Sequence, residues 1–154
     1  MPQERNIFKS LTVEENLTAV ARPGPWNVQR VWALFPRLQE RQRNLGTQLS
    51  GGEQQMLAFA RALVLNPKLL LLLLDEPLEG LAPIIVEDLL RAIRRVARDE
   101  GLSLIVVEQH PHMVLGVTDQ AIVLDCGGIA YRASSASLLA DPAPLDAWLG
   151  VAAR

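Results

Sequence analysis

Six consecutive leucines, Leu69 to Leu74, followed at once by Asp75-Glu76-Pro77, constrain this chain more than any other stretch. A helix needs about 20 apolar residues to span a bilayer, so this run is far too short. Without in/out alternation it reads as a strand covered on both faces, the habit of a parallel sheet packed between helices. Its flanks agree. From Glu53 to Leu65, Met56, Leu57, Ala60, Leu63 and Val64 recur at helical spacing, and Asn66-Pro67 stops the helix. A second helix runs from Ile84 to Asp99, with Ile85, Leu89, Ile93 and Val96 inward and Glu87 and Arg91 forming an i,i+4 pair outward. Gly101 ends it, and Leu102 to Val107 is another apolar strand. Strand, helix, strand is a βαβ unit and implies a parallel sheet. Ligands of such sheets sit at the carboxyl ends of the strands, here just after Leu74 and Val107.

The rest of the chain is lighter in signal. Thr12 and Glu15 have capping-box spacing and open a helix from Val13 to Ala21; another is expected from Val28 to Phe35. Residues Arg37 to Arg43 read as a solvated connector, helical or not. A short helix is expected from Pro111 to Val117, then a hairpin turning at Asp125-Cys126-Gly127-Gly128, then short helices at Ser135 to Ala140 and Pro144 to Leu149. The three tryptophans, Trp26, Trp32 and Trp148, read as packing residues, and Arg91, Arg94, Arg95 and Arg98 as a solvated helix face. With 49% apolar residues in 154, the chain has enough for a core. A net charge of -2 argues against a general nucleic-acid binder. Cys126 is the sole cysteine, so an internal disulfide is impossible. Met1 to Arg5 lack the apolar stretch of a secretion signal, and a soluble, cytosolic protein is expected.

Two features carry chemistry. An apolar strand ending in Asp75 and Glu76 suits a magnesium-nucleotide site: one carboxylate holds hydrated Mg²⁺ and the other polarises water. The plain alternative is a polar strand end. In Leu49-Ser50-Gly51-Gly52-Glu53-Gln54-Gln55, Ser50 and Glu53 satisfy a capping box, which leaves the two glycines of the first turn unexplained. Each costs up to about 1 kcal/mol relative to alanine. Bare amides at the positive end of a helix make an anion site, so phosphate binding stands beside plain capping.

In combination these features are much more specific. The order Leu-Ser-Gly-Gly-Glu-Gln-Gln, helix, Asn-Pro, apolar strand, Asp-Glu-Pro resembles the nucleotide-binding subunit of ATP-binding cassette (ABC) transporters. Leu49 to Gln55 resembles the signature motif, Leu70 to Glu76 the Walker B strand, Leu78 to Pro83 the D-loop, and Pro2-Gln3 the Q-loop, with Leu11 to Leu17 after it. Glu79 to Pro83, with Val107-Glu108-Gln109, is similar to the branched-chain amino acid transport branch.

The resemblance implies an α/β fold: the C-terminal part of a P-loop NTPase (ABC) domain, a mostly parallel sheet flanked by helices, with a helical subdomain. Residues 1–48 would form the Q-loop and helical subdomain. Residues 49–154 would form the signature helix, Walker B strand and C-terminal α/β part of the same domain. Two such subunits would sandwich two ATP molecules. Ser50, Gly51, Gly52 and Glu53 would contact the nucleotide held by the second subunit. Asp75 would hold Mg²⁺, and Gln3 would sense the metal and the attacking water. Glu76 would be the general base. Gln109 is the better match to the switch position, where most members carry histidine; His110 lies one residue late. The helical subdomain would dock on a membrane-spanning permease, placing the chain on the cytoplasmic face of the membrane.

One departure is large. The P-loop pattern G-x-x-x-x-G-K-[ST] does not occur in the 154 residues, whose two lysines, Lys9 and Lys68, do not follow glycine. Gly46 and Gly51 have the glycine spacing, but Gly52-Glu53 follows where Lys-Ser/Thr should. The expectation is an N-terminally truncated ATPase subunit, inactive by itself. The competing expectation is a non-hydrolysing module that docks on a transporter or donates its signature loop in trans. A fragment starting at the Q-loop should leave apolar sheet surface uncovered.

Overall fold

The computed structural model describes residues 7–66, 71–75, 77–78, 80–99 and 103–149, and for residues 71–73, 75, 99 and 149 the backbone. Gln3 and Glu76 lie outside the described residues. The chain divides into two units, 1–108 and 109–154.

In the first unit, α1 spans Val13–Thr18 and opens on the expected capping box. The Thr12 hydroxyl accepts the Glu15 N–H at 3.2 Å, and the Glu15 carboxylate accepts the Thr12 N–H at 2.8 Å. The helix stops short of Ala21. Thr18 donates its hydroxyl back to the Glu14 carbonyl at 2.9 Å, competing with the backbone ladder. Asn27 caps α2, Val28–Leu34. The stretch read as a solvated connector contains a helix, α3, Pro36–Glu40, and its Leu38 is fully buried. Pro36 is preset for the first helical turn, so α3 can follow α2 after a single bend at Phe35.

The long helix α4, Gly51–Val64, is the hub of this unit. α1, α2 and α3 all pack on it. Val13, Leu17, Leu38, Phe59 and Leu63 are buried there, each contributing about 1.5–3 kcal/mol if fully removed from water. Phe35 meets Phe59 edge-to-face with ring centroids 6.0 Å apart. Two asparagines tie the loops to this core. Buried Asn16 accepts the Phe8 N–H and donates to the carbonyls of Phe8, Leu11 and Thr12. Asn66, which ends α4 with φ 48°, accepts the Trp26 N–H at 2.8 Å and donates to the carbonyls of Arg22 and Trp26 at 2.8 and 2.7 Å.

The βαβ unit follows. β1, Leu71–Asp75, pairs in parallel with β2, Ser103–Val107, through the crossover helix α5, Pro83–Asp99. Ile85, Leu89, Ile93 and Val96 face inward as their spacing predicts. The outward ion pair differs from expectation: Arg91 leans to Asp88, i,i+3, at 3.4 Å. Leu74 is buried, whereas β2 alternates, leaving Ile105 and Val107 47% and 48% exposed. This is the uncovered apolar surface expected of the sheet.

In the second unit the expected helix at Pro111 is a single 3-10 turn, Pro111–Met113. β3, Gln120–Asp125, and β4, Gly128–Ser134, form the predicted hairpin. Cys126 and Gly127 turn it with φ 46° and 79°, the two left-handed residues a tight hairpin needs. α6, Ser135–Ala140, and α7, Ala143–Leu149, follow. Leu115, Leu138 and Leu145 form its core against Val123 and Tyr131. Trp26 packs as expected, but Trp148 is 49% exposed.

Candidate functional site

The α4 N-terminus is built as a helix start should be. Ser50 accepts the Glu53 N–H on its hydroxyl at 3.3 Å, and its own N–H donates to the Glu53 carboxylate at 2.8 Å. The Gln54 N–H begins the helical ladder on the Ser50 carbonyl. The amides of Gly51 and Gly52 precede that ladder and have no acceptor within the helix. Arg41 stands 3.6 Å from the other Glu53 oxygen and offsets its charge. Ser50 is exposed. An exposed hydroxyl with two adjacent leading amides fits an anionic group such as a phosphate.

The two glycines have separate reasons. Gly52 is buried, and a Cβ on it would overlap Ile85, whose own Cβ would lie 3.1 Å away. Glycine is therefore needed where the signature turn packs against the first turn of α5. Gly51 is half-buried.

Asp75 closes β1 on the same rung as Val107, the last residue of β2. The two positions singled out by strand order thus end side by side at one sheet edge. Glu108 follows, and its carboxylate accepts the Leu78 N–H at 3.0 Å. It holds the turn at Pro77-Leu78, and Gly80 has φ 67°. Sequence reading gave Glu108 only a place in the Val107-Glu108-Gln109 run and not this role, because a bond to a backbone 30 residues earlier has no local pattern.

Gln109 and His110 open the second unit, and both are exposed. His112 bonds Asp146 at 2.8 Å, tying the 3-10 turn to α7. Among the described residues no helix is long and apolar enough to cross a membrane.

Comparison with known proteins agrees with these motifs. Residues 1–79 match the family model described as "ABC transporter". The high-affinity branched-chain amino acid transport ATP-binding protein BraG of Pseudomonas aeruginosa is 44% identical over 97% of this chain and 65% of its own length. The probable branched-chain amino acid transport ATP-binding protein LivF of Archaeoglobus fulgidus is 35% identical over 90% of this chain and 60% of its own. The chain therefore spans somewhat under two thirds of the curated relatives it matches. The ADP conformation of MJ1267, an ATP-binding cassette of an ABC transporter, superposes with a TM-score of 0.70 at 23% identity, over 99% of this chain and 66% of that one. That structure shares the fold. With the signature-like helix start, the parallel βαβ unit and the matched family model together, the chain is a member of the ABC transporter family.

Proposed function

We propose that this chain forms part of the ATP-binding subunit of an ABC importer for branched-chain amino acids. The observation that carries the reading is the exposed Ser50 at the glycine-led start of α4, a helix N-terminus suited to an anion. The 44% identity to BraG supports the substrate class. In this reading the nucleotide is ATP with Mg²⁺, and binding it between two subunits drives their closure. Ser50, Gly51 and Gly52 bind the terminal phosphate held by the second subunit. Glu53 keeps Ser50 in place. Asp75, a hard oxygen donor at the strand end, holds Mg²⁺ with Gln3. Glu76 takes a proton from the attacking water, and Gln109 or His110 orients the phosphate. The helical part docks on a membrane-spanning permease at the cytoplasmic face.

These 154 residues supply the signature half of such a sandwich and carry no P-loop lysine. The chain by itself is expected to give no ATP turnover. The test mixes it with an intact, P-loop-bearing branched-chain amino acid subunit and follows ATP-dependent association by sedimentation. Ser50→Asp keeps a good helix cap but sets a carboxylate against phosphate. Association should weaken about tenfold or more with that variant, the scale of one lost charge-assisted contact. Turnover by the isolated chain, or association indifferent to ATP and to Ser50→Asp, would overturn the proposal.

A further inference from the structure

Arg91, Arg94, Arg95 and Arg98 of α5 are all exposed, as a solvated face should be, but two of them also border a cavity. Asp88, Arg91, Ala92 and Arg95 share a stripe that borders a cavity of about 350 Å³, within the size range of ligand pockets. Across the cavity stands the α2–α3 bend with Arg37. Leu34, Pro36, Met56 and Ala92 supply its apolar side.

Its charge is unbalanced. Asp88 is shared, one oxygen 3.0 Å from the Arg37 guanidinium and the other 3.4 Å from that of Arg91. Arg95 donates to a neutral acceptor, the Ala33 carbonyl, at 3.4 Å. Three arginines against one aspartate leave an excess of two positive charges around an apolar floor. The whole chain has a net charge of -2, so this is a local feature and no general polyanion surface. The Arg37 and Arg91 side chains are 47% and 73% exposed. Ion pairs at that exposure are weak and readily exchanged for another carboxylate.

We propose that this groove binds a short acidic peptide segment of a partner protein. An apolar side chain of the segment sits against Leu34, Pro36 and Met56, and carboxylates on either side of it engage Arg91, Arg95 and Arg37. Guanidinium forks match carboxylates in two parallel hydrogen bonds, which favours this ligand chemistry over an isolated point charge. The site is independent of the nucleotide reading, since none of its residues belongs to the signature or Walker B segments.

The test uses the full chain and a fluorescein-labelled Asp-Leu-Glu-Leu-Asp peptide followed by anisotropy. Arg91→Glu with Arg95→Glu should weaken binding about tenfold, the scale of losing two exposed ion pairs. Arg98→Glu, on the same helix but outside the cavity, should leave it unchanged. A benzophenone-bearing form of the peptide, used on the unaltered chain, should crosslink within 33–37 or 88–95, which locates the site whether or not the double variant folds. The proposal fails if the peptide does not bind, if the lysine-bearing peptide Lys-Leu-Lys-Leu-Lys binds equally, or if crosslinks fall elsewhere. Displacement by inorganic phosphate or glutarate as efficient as by unlabelled peptide would make the ligand a small anion and also overturn it.

Discussion

At position 52 a methyl group has nowhere to go. Ile85 is β-branched and fixed in a helix, so Gly52→Ala forces backbone or rotamer shifts costing about 1–3 kcal/mol. Against this, alanine favours the helix by up to about 1 kcal/mol. Packing wins, and a net loss of about 1 kcal/mol is expected in urea unfolding. In an Ile85→Ala background the same change should become neutral or stabilising, so the double-mutant cycle reverses the sign. An unchanged penalty there would show that Ile85 is not what glycine avoids. This residue also marks what the sequence disclosed. Two glycines at a helix start were visible as unusual, but the neighbour that requires one of them lies 33 positions away and has no local trace. Asn66 is similar: its place as a helix stop was legible from Asn-Pro, whereas its bonds to Trp26 and Arg22, 40 and 44 residues off, were not. Ser50, Glu53, Thr12 and Glu15 were legible in full, because a capping box is closed within four residues.

Elements tell the same difference between local and distant causes. α1, α4 and α5 were readable from apolar spacing and caps, while α3 was not, since five residues with three polar side chains hide the single buried Leu38. Two predictions belong here. For α4, Ser50→Ala should destabilise by about 1 kcal/mol, while Ser50→Asp should leave stability near that of the native chain, both read from thermal unfolding. A loss with aspartate as large as with alanine would argue that the hydroxyl does more than cap. For α1, the Thr12 backbone N–H, and then the Thr12 hydroxyl, hold the Glu15 carboxyl below the usual carboxylate range. A depressed folded pKa means that the capping contribution is present above the unfolded value and lost as pH falls through the folded one. The protection factor of the Thr12 amide, its exchange relative to an unstructured amide at the same pH, should therefore fall on acidification, and Glu15→Gln should flatten that dependence. Equal pH profiles in the two proteins would refute the assignment.

For the molecule as a whole, β1 and β2 form a two-stranded parallel sheet among the described residues, with Ile105 and Val107 bare on one side. Parallel pairs are normally covered on both faces, and so small a sheet has little stability of its own. The isolated chain should self-associate as its concentration rises, and Ile105→Lys with Val107→Lys should reduce that, measured by sedimentation velocity. A monodisperse monomer throughout would count against it. An uncovered face was expected from the resemblance, in which further elements pack on this sheet, whereas apolar runs without alternation had pointed to cover on both faces. The division after Glu108 was not foreseeable, since Val107-Glu108-Gln109 is continuous in composition. Chemical ageing of such a preparation would be shaped by Asn66. Turning its amide into a carboxylate would place negative charge against the carbonyl oxygens of Arg22 and Trp26 and release the loop they hold. Deamidation ordinarily begins when the following residue's amide nitrogen attacks the side chain, and the following residue here is Pro67, which has no N–H to offer. The residue that holds this loop is thereby shielded from the commonest route to its decay.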